Sequence, residues 1–321
     1  MSNKNFALTG VAGYVAPRHL QAIKNTGNNL VAAIDPHDSV GVIDRYFPET
    51  SFFTEFERFD RHLEKLRRTK SQDQVDYVSI CSPNNLHDAH IRLALRIGAN
   101  AICEKPLVLN PWNLDQLQEI EKETGQKVFT ILQLRLHPSL IAIKKDLNKL
   151  HNDHKHEVLL TYIASRGTWY NYSWKGRMDI SGGVATNIGI HFFDLIMWLF
   201  GPIQKNLLFL REPDKSSGFI ELKNANVKWY LSIDRKDLPE EAIKTEKSTY
   251  RSITIDGKEL EFTDGFSDLH TKVYEQTLLG SGFDIETARP SIEAAYDIRH
   301  LSLSNIKELF HPKLFNFPFL K

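Results

Sequence analysis

Two side chains in this 321-residue sequence could handle a proton at a reacting carbon. One is Lys105, in Glu104-Lys105-Pro106. The other is His191, in Ser181-Gly182-Gly183-Val184-Ala185-Thr186-Asn187-Ile188-Gly189-Ile190-His191-Phe192-Phe193-Asp194. A partly desolvated lysine can orient a hydroxyl and share its proton. Taken alone, a solvated lysine just past a strand is the commoner case. A histidine titrates near neutrality and can take a hydroxyl proton while hydride leaves the same carbon. Asn187 lies four residues before His191 and Asp194 three after it, so on one helix they form a polar stripe. Polar groups on an otherwise apolar helix need partners, and a substrate pocket is one supplier. A zinc reading of His191 with Asp194, or of His87 with His90, lacks a third ligand at a telling spacing, so no metal is expected.

Gly10-Val11-Ala12-Gly13-Tyr14-Val15-Ala16 has a different chemistry. Glycines between a strand and a helix let the backbone approach a pyrophosphate, and the helix N-terminus supplies free N–H groups. The spacing is a variant of the usual dinucleotide fingerprint, and a tight turn with no ligand would look alike. Asp35 strengthens the reading. It stands 22 residues after Gly13, at the end of the second apolar run, where a carboxylate can accept from an adenosine ribose. The chain continues Pro36-His37-Asp38, with no Lys or Arg to compensate a ribose phosphate. NAD is therefore expected over NADP. Ser82-Pro83-Asn84 with His87, and Glu104-Lys105-Pro106, fall just past strand ends, the edge where ligands sit in open α/β sheets.

The elements that must carry these residues alternate through residues 1–135. Strands are expected at Phe6–Thr9, Leu30–Ile34, Tyr77–Cys81, Ala99–Cys103 and Lys127–Leu132. Helices are expected around Arg18–Ile23 and over Phe56–Arg68, Asp88–Ile97 and Asn113–Thr124. Alternation with near-continuous apolar strands predicts a doubly wound parallel sheet, an α/β dinucleotide-binding domain. Residues 136–321 read differently. Strands Val158–Ser165, Asn206–Leu210, Gly218–Leu222, Val227–Ile233 and Ser252–Ile255 predict an α+β domain with a mostly antiparallel sheet. Turns are expected at Gly257-Lys258 and Thr263-Asp264-Gly265, and helices at Ile188–Phe200 and about Ser291–Leu309. The glycines at 182 and 183 are expected to make a mobile loop entering the first of these helices. The Lys65–Lys70 basic run reads as a solvated helix end.

Lys plus Arg and Asp plus Glu both total 40, which argues against a broad nucleic-acid surface. A local basic pocket for an anionic small molecule is compatible with that balance. Hydrophobic residues at 41% and charged residues at 25% are ordinary globular values, and the length suits two domains. Cys81 and Cys103 sit in apolar runs and read as buried thiols. The start lacks a charged segment followed by a long apolar stretch, and no run is expected to reach the roughly 18 apolar residues of a membrane span. The default expectation is a cytoplasmic protein with no membrane partner.

Gly10-x-x-Gly13, Ser82-Pro83-Asn84-x-x-His87, Glu104-Lys105-Pro106 and Gly182-Gly183 … Asn187-x-Gly189-x-His191-x-x-Asp194 occur in one order. Together, over nearly the whole chain, they resemble the glucose–fructose oxidoreductase/inositol dehydrogenase/rhizopine-catabolism (Gfo/Idh/MocA) family of dehydrogenases. The resemblance implies an N-terminal Rossmann domain, a C-terminal open-faced sheet and NAD as cofactor. It implies that Lys105 and His191 flank the reacting carbon, Lys105 orienting the hydroxyl and His191 acting as base, with the proton acceptor varying across the family. It carries cofactor binding to Gly10, Gly13, Tyr14, Val15, Asp35, His37, Ser82, Asn84, His87, Glu104, Lys105 and Gln133. Asn187 is counted with Lys105 and His191 as catalytic, and there the sequence departs, since many members have Asp.

Within the family, Asp35-Pro36-His37-Asp38, Arg166-Gly167-Thr168-Trp169-Tyr170, Ser173-Trp174-Lys175-Gly176 and Thr186-Asn187-Ile188-Gly189-Ile190-His191 are similar to the UDP-N-acetylglucosaminuronate 3-dehydrogenases. These oxidise C3 of the sugar to a ketone, ahead of an aminotransferase, in bacterial surface-polysaccharide (O-antigen) synthesis. Such a substrate carries two phosphates and a carboxylate. Arg166, Lys175 and Arg177 lie near aromatic residues able to pack a sugar or uracil face. The implied substrate residues are Lys105, Arg166, Tyr170, Trp174, Lys175, Asn187 and His191. A competing account makes that loop an oligomer interface. The alternatives for activity are a dehydrogenase of a free sugar or inositol, for which Arg166 and Lys175 have no evident partner, and a non-catalytic sensor of NAD or a nucleotide sugar. Some relatives keep their nicotinamide bound and reoxidise it with 2-oxoglutarate, which these residues leave open. An open-faced sheet needs cover, so a homo-oligomer, dimer or tetramer, is expected by analogy.

Overall fold

The computed structural model describes residues 3–149, 155–262 and 268–316. The chain divides into two compact units, residues 1–136 with 267–289 and residues 137–266 with 290–321. Sequence reasoning puts a single boundary at 135/136. The difference is the segment 267–289, which returns to the first unit. Its helix supplies Val273 and Tyr274, both fully buried, to a core shared with Phe6, Leu8 and Leu20. A helix's periodicity shows which face is apolar, not which core takes it.

The first unit holds strands β1 (Asn5–Thr9), β2 (Asn29–Ile34), β3 (Ser51–Phe53), β4 (Tyr77–Ile80), β5 (Asn100–Cys103) and β6 (Val128–Thr130) in the order β3-β2-β1-β4-β5-β6. Every pairing is parallel. All four residues of β4 are buried, as are the last four of β1 and the last three of β5, because helices cover both faces. Those helices are α1 (Ala16–Asn25), α2 (Phe56–Arg68), α3 (His87–Arg96) and α4 (Trp112–Thr124). The doubly wound sheet is as expected, with β3 added and β6 shorter than the apolar run that announces it.

The second unit opens with α5 (Pro138–Leu147) and β7 (His156–Ala164). Short helices α6 (Trp169–Tyr172), α7 (Met178–Ser181) and α8 (Gly183–Asn187) lead into α9 (Ile190–Phe200). Strands β8 (Ile203–Arg211), β9 (Lys215–Leu222) and β10 (Ala225–Ser232), helix α10 (Glu240–Lys244), and strands β11 (Thr249–Ile255) and β12 (Lys258–Glu261) follow. The sheet order is β12-β11-β7-β10-β9-β8, antiparallel except for the parallel β7–β10 pair. Trp229 and its neighbour Tyr230 point to opposite faces. Trp229 meets Phe193 of α9 edge-on at 5.3 Å, while Tyr230 stacks on His311 and clusters with Phe310 and Leu314. The chain's own residues 310–314 thus cover part of the second face. The Thr263-Asp264-Gly265 turn lies outside the described residues.

Two other expectations change. Helix α11 (Leu269–Leu278) was not anticipated, and α12 runs Ile285–His300 with Pro290 inside it, not about Ser291–Leu309. The run Met178–Phe200 is also long and apolar enough by composition to cross a membrane, but 78% of its most apolar stretch is buried inside the protein. It packs as a core segment.

Candidate active site

In the first unit the expected cofactor residues gather at the carboxyl edge of the sheet. Gly10 sits at φ +79°, and a Cβ there would come within 2.6 Å of the Cys81 carbonyl oxygen. Any side chain would push the β1–α1 turn off the end of β4, so Gly is required. The carboxylate of Asp35 accepts from the Ala12 N–H at 3.0 Å and the His37 N–H at 2.9 Å, joining that turn to the end of β2. Each oxygen keeps a second lone pair for a ribose hydroxyl. Tyr14 is 71% exposed, Val15 half-buried and His37 exposed. Gln133, just past β6, is buried, and its Oε1 has no hydrogen-bond partner among the described residues. An orphan buried acceptor at a ligand-binding edge is what a bound amide or hydroxyl would satisfy. These residues fit a dinucleotide.

Four of the expected cofactor residues, Ser82, Asn84, His87 and Glu104, are buried. The Ser82 hydroxyl lies 2.8 Å from His90 Nδ1, and Asn84 is buried. His87 is buried, its ring between two main-chain carbonyls. Glu104 is buried and anchors a network that sequence reasoning missed. Its Oε1 accepts from His19 Nε2 at 2.9 Å and His270 Nε2 at 3.1 Å, while Oε2 accepts from the Lys105 N–H at 3.2 Å. His19 Nδ1 faces the Tyr274 hydroxyl at 2.7 Å, which lies 2.6 Å from Ser79 Oγ. Burial works to raise the Glu104 pKa, but the two imidazoles outweigh it and hold the carboxyl well below the usual carboxylate range. Burial lowers His270 and raises both thiols, Cys81 and Cys103. Ligand atoms of His19, Glu104 and His270 lie within 4.8 Å of one another, close enough for a metal ion. Hydrogen bonding already accounts for the atoms facing one another. One signal was present in the sequence, a histidine on the buried stripe of α1 with Ala16, Leu20 and Ile23. His270 and Tyr274 carried none.

In the second unit, Gly182 and Gly183 both take positive φ, +78° and +75°, and make a tight turn between α7 and α8 where a loop was expected. The helix then breaks at Ile188–Gly189, so Asn187 and His191 lie on separate helices. The Asn187 amide donates to the Tyr170 hydroxyl at 2.9 Å, a partner found within the unit. Tyr170 is buried, and burial raises its pKa. His191 is half-buried and Asp194 buried.

The α6–α7 loop concentrates positive charge. Lys175 Nζ lies 4.2 Å from the Trp174 ring centroid and 5.9 Å from that of Trp169. Burial, with a smaller contribution from Arg166, lowers the Lys175 pKa. Arg166 and Lys175 are half-buried and have no carboxylate partner among the described residues. Arg177, grouped with them in the sequence, is exposed and paired with Asp179 at 2.8 Å. Two adjacent cations without a carboxylate make an anion-binding arrangement.

A fold with a glycine-turn dinucleotide edge and a separate sheet unit defines a class of NAD-binding oxidoreductases, and comparison with known proteins agrees. Residues 4–132 match the oxidoreductase family model for an NAD-binding Rossmann fold, and residues 148–289 match that family's C-terminal alpha/beta domain. The chain belongs to the Gfo/Idh/MocA oxidoreductase family. Among solved structures it is similar to the WlbA (WbpB) dehydrogenase of Thermus thermophilus. Identity is 51% and the TM-score 0.93, over 97% of this chain and all of the other. That protein has been solved with NAD and UDP-GlcNAcA, and with NAD and alpha-ketoglutarate. The WlbA dehydrogenase of Bordetella pertussis shares the fold at 18% identity, with a TM-score of 0.74 over 94% of this chain and all of that one. Among curated proteins, D-glucoside 3-dehydrogenase of Escherichia coli is 29% identical over 39% of this chain. The match spans 36% of that protein's length.

Proposed function

We propose that this protein oxidises the C3 hydroxyl of UDP-N-acetylglucosaminuronic acid to the 3-keto sugar, with NAD as hydride acceptor. The carrying observation is the Arg166–Lys175 pair, two half-buried cations beside Trp174 with no carboxylate partner among the described residues. A substrate with a diphosphate and a carboxylate supplies the missing negative charge, and an indole face suits a sugar or uracil. The likeness to a protein solved with that nucleotide sugar supports the same reading. Lys105 orients the C3 hydroxyl. His191 takes its proton as the C3 hydride departs, leaving ketone, reduced cofactor and protonated histidine. Asn187 and Tyr170 are assigned to the substrate as a pair, the Asn187 amide donating to the Tyr170 hydroxyl. The relative's complex with alpha-ketoglutarate supports a second step, in which 2-oxoglutarate takes the hydride back and becomes 2-hydroxyglutarate.

The test is a substrate panel with purified protein and NAD. UDP-N-acetylglucosaminuronic acid is expected to exceed UDP-N-acetylglucosamine, which lacks the carboxylate, by about 10- to 100-fold in kcat/KM, the range of one charge-assisted contact. Myo-inositol and glucose are expected to give no turnover. Equal rates with a neutral polyol would overturn the reading.

A further inference from the structure

His87 belongs to the Ser82-Pro83-Asn84-x-x-His87 motif, whose likeness implies a cofactor contact, and the structure gives it a different place. The side chain is 0% exposed. Its Nδ1 lies 2.7 Å from the Pro106 carbonyl oxygen and its Nε2 2.9 Å from that of Ser82. With both nitrogens facing main chain, the ring has no polar edge left for a dinucleotide. Ser82 follows the end of β4, and Pro106 is the residue after Lys105. The ring therefore ties two neighbouring strand ends together beside Lys105. The same lysine's N–H is taken from the other side by Glu104, which His19 and His270 hold in turn.

We propose that His87 is a positioning residue for Lys105, acting through the Pro106 carbonyl as one half of a buried clamp whose other half is Glu104. The inference rests on the reading of Lys105 as the residue that orients the reacting hydroxyl.

The clamp makes a demand on the protonation of the ring. Burial has the largest influence on the ring and lowers its pKa, opposed by the two carbonyls and Glu104 and assisted by Lys105. His90, on the same helix, is near enough that charge on either imidazole disfavours charge on the other. A neutral imidazole has one N–H, so one carbonyl receives a full hydrogen bond. The clamp requires that proton on Nδ1, donated to the Pro106 carbonyl oxygen 2.7 Å away.

That requirement separates two conservative substitutions. An Asn amide nitrogen stands where Nδ1 does, and a Gln amide nitrogen where Nε2 does. His87→Asn therefore keeps the donor to Pro106 and His87→Gln keeps only the donor to Ser82. Steady-state kinetics with NAD and the UDP-sugar acid, alongside calorimetric NAD binding, tests this. His87→Gln is expected to lower kcat about 10-fold or more, the scale of a misplaced reacting group, with the NAD Kd within about twofold of wild type. His87→Asn is expected to recover most of that kcat. Loss of NAD affinity with kcat retained would make His87 a cofactor contact and overturn the inference. Equal losses in both variants, tracking a fall in folded protein, would reduce the residue to a structural one and overturn it too. Two-bond 1H–15N spectra of the wild-type protein supply a check that needs no variant. A proton on Nδ1 is expected, and one on Nε2 would contradict the clamp. Lys105→Ala separates the two levels of the argument. An inactive Lys105→Ala with a fully active His87→Gln defeats the clamp alone, while an active Lys105→Ala defeats the reading of Lys105 and the clamp with it.

Discussion

Replacing Glu104 with Gln isolates the buried network from the rest of the fold. Three N–H groups converge on this carboxylate, at 2.9, 3.1 and 3.2 Å. Hydrogen bonds to a charged group contribute about 1.5–3 kcal/mol each, less than additively when they share an acceptor. Gln keeps one acceptor oxygen and turns an NH2 towards a donor. The expected destabilisation is about 2–4 kcal/mol. At about 2–4 °C per kcal/mol for a unit of this size, the melting midpoint falls by about 5–15 °C. The pH dependence has a definite sign. The folded pKa of Glu104 lies below its unfolded value, so its contribution is fully present above about pH 4.3 and is lost as pH falls through the folded pKa. The gap between wild type and variant should stay constant from about pH 5.5 to 8 and close in acid. Urea unfolding across that range measures it. With His19 and His270 both already changed to Leu, the same substitution should cost under about 1 kcal/mol. Wild-type stability in Glu104→Gln at neutral pH, or an undiminished penalty in the Leu background, would refute the network.

Lys175→Met is expected to raise KM for the nucleotide sugar about 10- to 100-fold and to leave the NAD Kd unchanged, as calorimetry with each ligand separately would show. Because burial and Arg166 lower the Lys175 pKa, wild-type affinity for the sugar should fall off at a lower pH than an ordinary lysine would give. That limb should be absent from Lys175→Met and moved upward in Arg166→Leu. Asp35→Ala is expected to weaken NAD binding about 10- to 100-fold without creating affinity for NADP, since no cation adjoins the site in sequence. Unchanged NAD affinity would remove Asp35 from the cofactor site.

The cofactor edge was legible because its signals are local. A glycine that must take positive φ, a carboxylate closing a strand and apolar runs of strand length are properties of short segments, and β1, β2, β4 and β5 lie where those runs fall. β3 was not, because Ser51–Phe53 is three residues long with no apolar run around it. The break at Gly189 escaped because apolar periodicity continues across it and does not show where one helix stops and the next begins. The last helix was misplaced because Pro290 reads as a helix start, whereas here it lies inside one. The Glu104 network was out of reach for a different reason. His270 is 166 residues from Glu104 in sequence, and only the return of α11 to the first unit brings them together. On the substrate side, residue types marked Arg166 and Lys175. Only coordinates separated them from Arg177, which Asp179 neutralises.

The most direct test of the account follows the hydride itself. UDP-N-acetylglucosaminuronic acid deuterated at C3 is incubated with the protein, NAD and 2-oxoglutarate, and the products are read by mass spectrometry. The account predicts a sugar that has lost the C3 deuterium, with that deuterium in NADH or in 2-hydroxyglutarate, and no transfer by Lys105→Ala. Retention of deuterium at C3 under conditions where the protein binds both NAD and the nucleotide sugar would contradict it.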